Sequence, residues 1–458
     1  MSDEGWWGGS LLAAADPRAV WALAGDAVPF GTLREETARL ARILPAYGIG
    51  RGATVAVHGT PSFTQLWCVF ALWSLGAQVI LLEPALDRAE RETLLALSAP
   101  QFVLTLRGRH DGEDVFEPEC EVLVRRRRGG RTATTPHCLV QFSSGTTGRP
   151  KAAGRTAASL RAELAQAATL AAMPRAGERV AVLEPVAHSF ALIGGVLHAL
   201  AVGATVVFPR AATDPAFAEA AARSHVVLGR PPHYTALAAT GTRLPLLRLA
   251  VSGGDALPEE TAGAFARRHG VLIGQAYGTT ETGLVSADLT GEYGPGSIGV
   301  PLPGVRTRLR AGTLQVQVPG CPYPYDGRQW AGGWLATHDL VSRDPATGAL
   351  SLRGRDGRTA SGARLVDIEA VLCAHRHVRE AVVLGPDPVE AQVTGTAELA
   401  RDDLSAWCRR FLGEQAVPRH ITLVPELARS ASGKVLRDRA RLQERGRAAH
   451  RGRTGRRP

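Results

Sequence analysis

Lysine is almost missing from this chain of 458 residues. Of its 53 basic residues only Lys151 and Lys434 are lysine, and the other 51 are arginine. A bias towards Ala, Arg and Gly explains the scarcity. It does not explain which two positions keep an ammonium group. Cysteine is also sparse. The six present (Cys68, Cys120, Cys138, Cys321, Cys373, Cys408) are scattered, with no C-x-x-C pair and no His cluster at zinc spacing. That excludes a disulfide framework or a structural zinc site, and points to a reducing, cytoplasmic setting. Long apolar runs are absent, so no membrane span and no membrane partner are expected. The opening "MSDEGWWGGS" has no apolar core and does not read as a signal peptide.

Acidic residues fall short of basic ones, 43 against 53, leaving a formal charge of +10. Such a surplus raises the question of nucleic acid. The excess gathers in "RRRRGGR" at 125–131 and in the tail 445–458. Both read as solvated features, a loop and a disordered basic tail. No aromatic residue interleaves with the tail arginines, so a single-strand stacking platform is not expected. A basic nucleic-acid-binding protein stays only as a remote alternative.

The chain is long enough for two or three domains. From residue 53 onward apolar runs alternate with helical spacing: "TVAVHG", "SFTQLWCVFALWSLG", "AQVILLEP", "DRAERETLLALS", "QFVLTL". This βαβαβ rhythm predicts a parallel sheet covered on both faces. It resumes in "TAASLRAELAQAATLAAM", "RVAVLEP", "SFALIGGVLHALAVG", "ATVVFP", "DPAFAEAAARS", "HVVLG", "LPLLRLAVSGG" and "PEETAGAFARRHG". After about residue 290, Gly and Pro become dense and short β-type pieces appear, which predicts a β-rich subdomain. A last α+β unit follows "GRDG" at 354–357. The expected class is α/β: an N-terminal domain, 1–354, of parallel αβ layers with a β-rich subdomain. A small mobile α+β domain, 355–444, and the tail follow.

"SSGTTGRPK", residues 143–151, follows the buried-strand signal "HCLVQF". Gly145 and Gly148 allow sharp turning and close approach to a ligand. Ser143, Ser144, Thr146 and Thr147 add hydroxyl donors, and Lys151 adds a compact charge. Together they describe a phosphate cradle, though not at the G-x-x-x-x-G-K-[ST] spacing of the common ATPase loop.

The loop resembles the signature of the adenylate-forming superfamily of acyl-CoA synthetases, acid–AMP ligases, peptide-synthetase adenylation domains and luciferases. Further motifs of that family follow in order. "QAYGTTETG" at 275–283 implies Tyr277 on adenine, Thr280 on the α-phosphate and Glu281 on Mg²⁺, with Gln275 also at the nucleotide. "SGGDALP" at 252–258 implies Gly253 and Gly254 beside the base. "WLATHDL" at 334–340 implies Asp339 on the ribose hydroxyls, with His338 where the family carries Gly. "LRGRD" implies Arg355 at the ribose and Asp356 as hinge. "SASGKVLR" at 430–437 implies Lys434 bridging the acid's carboxylate and the α-phosphate. So both lysines fall in family motifs, where three rotatable N–H donors serve better than a planar fork.

"PVAHSFALIGG" at 185–195 resembles the acyl-pocket motif and puts His188 at the acid, with Gly253 and Ala276. No Asp stands there to hold an α-ammonium, which argues for an aryl or alkyl acid. The resemblance implies ATP, Mg²⁺ and a small carboxylic acid. It also implies coenzyme A as acceptor, or a phosphopantetheine-bearing carrier protein or another nucleophile. The segment "GRDGRTASGARLVDIE" is shorter than the family's and lacks its Lys, so adenylate formation is better supported than coenzyme A transfer. A phosphotransferase, which would release ADP, is a further alternative.

Overall fold

The computed structural model describes residues 6–13, 15–108, 116–143, 150–294, 296–325, 330, 333–355, 357, 365–385, 388–429 and 435–437. Apolar strands and helices of the first half build a six-stranded sheet. Its order is Glu121–Arg126, Phe102–Arg107, Thr54–Gly59, Gln78–Leu81, His137–Ser143, Lys151–Thr156. The inner four strands are parallel, as helical crossovers require. One crossover helix, Phe63–Ser74, is buried along almost its whole length and is capped by Ser62, whose Oγ accepts from the Gln65 N–H at 3.2 Å.

Both edge strands are antiparallel, and neither was expected from the sequence. The arginine run is therefore not simply a loop. Arg125 and Arg126 end the Glu121–Arg126 strand, and Arg126 lies over the Phe102 ring at 6.0 Å. Charge is tolerated there because an edge strand faces water and resists pairing with other chains. The tail 445–458 lies outside the described residues.

The second sheet has thirteen strands. Its parallel part contains Thr205–Val207, Arg179–Val182, Val226–Gly229, Leu249–Gly253 and Ile273–Thr279. The β-rich segment continues it edge-on through Gly283–Asp288 and Ser297–Pro301, and packs its own core of Val285, Ile298, Leu314, Val316, Val341 and Leu350. "SFALIGGVLHALAVG" forms a π-helix, Phe190–Leu197, that runs into the α-helix His198–Val202. Gly195 permits this by leaving room for Val182.

Residues from 365 build a separate layer. Helices Leu365–Cys373 and Arg401–Leu412 cover the sheet Val378–Leu384, Glu390–Gly395, His420–Leu423 around Ile368, Leu372, Val383 and Leu404. At the junction Gly354 has φ +123, and any side chain there would strike Val366. Among the described residues no helix is long and apolar enough to cross a membrane.

Candidate active site

Parallel strands release their loops at one edge of a sheet, and ligands gather there. In the large sheet Glu184, Arg230, Gly253 and Tyr277 leave at that edge. In the smaller sheet Glu83 and Ser143 do the same. Four contacts stitch the two edges together. His188 Nε2 lies 2.9 Å from Glu83 Oε1. Ser189 Oγ donates to Gln141 Oε1 at 2.6 Å, while Gln141 Nε2 donates to the Ala187 carbonyl. Ser143 Oγ donates to Glu281 Oε1 at 3.3 Å.

Ser143 and Lys151 are direct partners across the antiparallel pair that flanks the glycine- and hydroxyl-rich loop. The loop's ends therefore converge, and Glu281 meets them through Ser143. Ser144, Gly145, Thr146, Thr147 and Gly148 lie outside the described residues. Thr280 and Glu281 sit half-buried in a turn locked by the Thr279 and Thr282 hydroxyls, 3.1 Å apart.

That turn is braced from below by residues the sequence reading missed. Arg155, buried on the strand that Lys151 begins, pairs with the half-buried Glu163 at 2.7 Å. Glu163 Oε1 also accepts from the Leu284 N–H at 2.9 Å. Gly283, at φ +70, has no side chain to collide with this pair. The available signal was a lone Glu on the core side of an Ala-rich helix.

The cluster around Tyr277 is equally tight. Tyr277 donates to Asp339 Oδ2 at 2.6 Å and Arg355 Nε to Oδ1 at 2.8 Å. Asp339 and Arg355 are register partners on neighbouring strands. Burial, then the Asp339 charge, pushes the Tyr277 phenol well above its ordinary pKa, so it stays a donor. His338 sits at φ +61, which explains why glycine suits the position. Gly253 and Ala276 are also register partners, with the Phe190 ring seated over Gly253 and Arg230 beside Gly254. The Gln275 amide donates to the Ser297 carbonyl, so its side chain is held by the sheet.

Asp356 and Lys434 lie outside the described residues. Just past Lys434, the Leu436 N–H donates to the Ala428 carbonyl at 2.8 Å, and Arg437 pairs with Glu369 at 2.9 Å. Burial works against the Arg437 charge. Glu369, with help from Asp255 beyond Gly254, more than offsets this and raises its pKa.

Among the described residues no group of three or more His, Cys, Asp or Glu could hold a metal. A single carboxylate, Glu281, bonded to Ser143 fits Mg²⁺, which takes one or two carboxylates plus substrate phosphate oxygens.

Residues 13–327 match the model of the AMP-binding enzymes, and 367–434 match their C-terminal domain. The chain belongs to the AMP-binding enzyme family. It is thus an adenylate-forming ligase of the acyl-CoA synthetase type. As an AMP-binding enzyme it is 28% identical over 355 residues to benzoate–CoA ligase of Thauera aromatica, covering 68% of this chain and 66% of that protein. It is 28% identical over 474 residues to feruloyl-CoA synthase of an Amycolatopsis species, covering 91% and 94%. Among solved structures it resembles ATP-bound MatB from Rhodopseudomonas palustris, with TM-score 0.78, 20% identity and coverage of 95% and 98%. It also resembles a benzoate CoA ligase from Burkholderia xenovorans LB400, with TM-score 0.76, 21% identity and coverage of 94% and 99%. At that identity the structures speak for the fold alone.

Proposed function

We propose that this enzyme activates a carboxylic acid lacking an α-amine, aryl or alkyl, by ATP and passes the acyl group to the thiol of coenzyme A. The observation that carries this is that two sets of residues stand where the edges of the two sheets meet. One is Ser143, Lys151 and Glu281; the other is Tyr277, Asp339 and Arg355.

A carboxylate is a poor electrophile. Its oxygen attacks the α-phosphorus of ATP, the bond to the bridging oxygen breaks, and pyrophosphate leaves with that electron pair. The acyl-adenylate is then attacked at carbonyl carbon by a thiolate, and AMP departs. Negative charge gathers on the α-phosphate and pyrophosphate, so fixed donors aimed there supply most of the rate. Lys151 and the loop that begins at Ser143 serve the β and γ phosphates. Lys434 bridges carboxylate and α-phosphate, and Thr280 donates to the α-phosphate. Mg²⁺, when bound at Glu281, neutralises phosphate charge. Tyr277, Asp339 and Arg355 orient the nucleoside. The domain boundary falls at 354–357, with Asp356 as the pivot by which the small domain exchanges Lys434 for the acceptor.

A second reading keeps the first step but uses a carrier-protein thiol or another nucleophile. The short segment 354–369, without lysine, favours it. ATP–pyrophosphate exchange across aryl, short-chain and long-chain acids tests the reaction class. Acid-dependent exchange is expected, and ADP release instead of AMP would sink it. Adding coenzyme A separates the two readings by whether a free thioester forms.

A further inference from the structure

Two pairs of ionisable side chains stand at the sheet edges that meet at the site. Glu184 follows the Arg179–Val182 strand and Arg230 follows Val226–Gly229. These strands pair in parallel with Val182 opposite Leu228, so both side chains emerge at one edge. Arg230 Nε pairs with Glu184 Oε1, and the two side chains are only 12% and 3% exposed. Arg230 Cδ would lie 3.5 Å from a Cβ on Gly254. The second pair, His188 with Glu83, spans the two sheet edges at 2.9 Å. His233 lies within reach of both pairs: burial lowers its pKa to about 3, and Arg230 and His188 push the same way.

Stability alone does not account for a buried ion pair here. Removing two charges from water costs about what their attraction returns, and well-packed apolar residues often serve as well or better. A buried pair at a ligand-binding edge therefore calls for a ligand that uses it. Each pair carries its own neutralising partner. A second carboxylate on the substrate would meet Glu184 and Glu83, and an ammonium would meet Arg230. A hydroxyl both donates and accepts, and a guanidinium has further N–H groups on its outer nitrogens.

Granting the acid-activating function above, we propose that Arg230 and Glu184, with His188 and Glu83, are specificity determinants. They select an acid whose body carries a neutral hydrogen-bonding substituent, a hydroxyl or its equivalent. An unsubstituted acid brings no group to donate to or accept from these side chains, and a dicarboxylate would bring repulsion.

The test is ATP–pyrophosphate exchange by the full chain with benzoate, hexanoate, their monohydroxylated counterparts and the matching dicarboxylates. At least one hydroxylated acid should exceed its parent in kcat/KM by about 10–100-fold, the worth of a hydrogen bond to a charged group. Each dicarboxylate should fall below its parent. In the double variant Glu184→Leu with Arg230→Met the hydroxyl-to-parent ratio should drop to about one, whatever the absolute rate. The volume-preserving Glu184→Gln should raise the relative rate on dicarboxylates by leaving Arg230 without its carboxylate. Equal exchange across the panel in the native enzyme, or an unchanged ratio in both variants, overturns the assignment while the ligase reading stands. Exchange with no acid at all overturns both.

Discussion

The Tyr277 hydroxyl sits 2.6 Å from Asp339 Oδ2, and this bond ties the parallel half of the large sheet to its antiparallel extension. Arg355 occupies the other carboxylate oxygen at 2.8 Å. Both Asp339 oxygens are thus held in place by side chains of neighbouring strands.

Asp339→Ala should raise the KM for ATP by about 10–100-fold and lower stability by about 1–3 kcal/mol, because a buried phenol loses its partner. Tyr277→Phe should cost less, about 1 kcal/mol. ATP calorimetry and thermal melting check both. Unaltered ATP affinity in Asp339→Ala would remove Asp339 from the ribose.

Lys434→Ala should slow acid-dependent pyrophosphate exchange by about 10²–10³-fold, as for loss of one charge-stabilising donor. Lys434→Arg should recover little, since a planar fork cannot follow moving oxygens. An exchange rate equal to that of the native enzyme would contradict the role given to this lysine.

Glu163→Ala leaves Arg155 buried without its carboxylate and frees the Leu284 N–H. Breaking a buried pair on one side costs about 3–5 kcal/mol. The turn bearing Glu281 should loosen as well, so the Mg²⁺ concentration for half-maximal exchange should rise. A variant that loses stability with the native Mg²⁺ requirement would confine Glu163 to the scaffold.

Acid should destabilise the fold through His58. Burial, reinforced by the Arg91 charge, lowers its pKa to about 4, while an unfolded chain titrates near 6.5. Between those values the unfolded chain holds a proton that the folded one does not, so stability falls as pH drops through the window and levels off below about 4. His233, lowered to about 3, acts in the same direction. The His58 contribution is on the order of 3 kcal/mol. Urea midpoints at pH 7 and 4.5 should lie closer together in His58→Phe. If the gap is unchanged, the acid sensitivity has another source.

The chemistry was legible in the sequence because its motifs are local. The hydroxyl and glycine run before Lys151, "YGTTE" and "THD" each place donors or acceptors within a few residues. Their resemblance to the motifs of the family implies what they hold. The alternation of buried strands with helical spacing likewise shows which strands must be parallel. The supports of the site left no such trace. Arg155 and Glu163 brace a turn that comes over a hundred residues later, and Glu184 finds Arg230 only because their strands are neighbours in the sheet. The edge strand that absorbs Arg125 and Arg126 also reads as a loop until Phe102–Arg107 lies beside it. Periodicity reports which side of an element faces the core. Which polar side chains meet depends on strand order, and strand order is fixed by crossovers and by the packing of distant apolar faces.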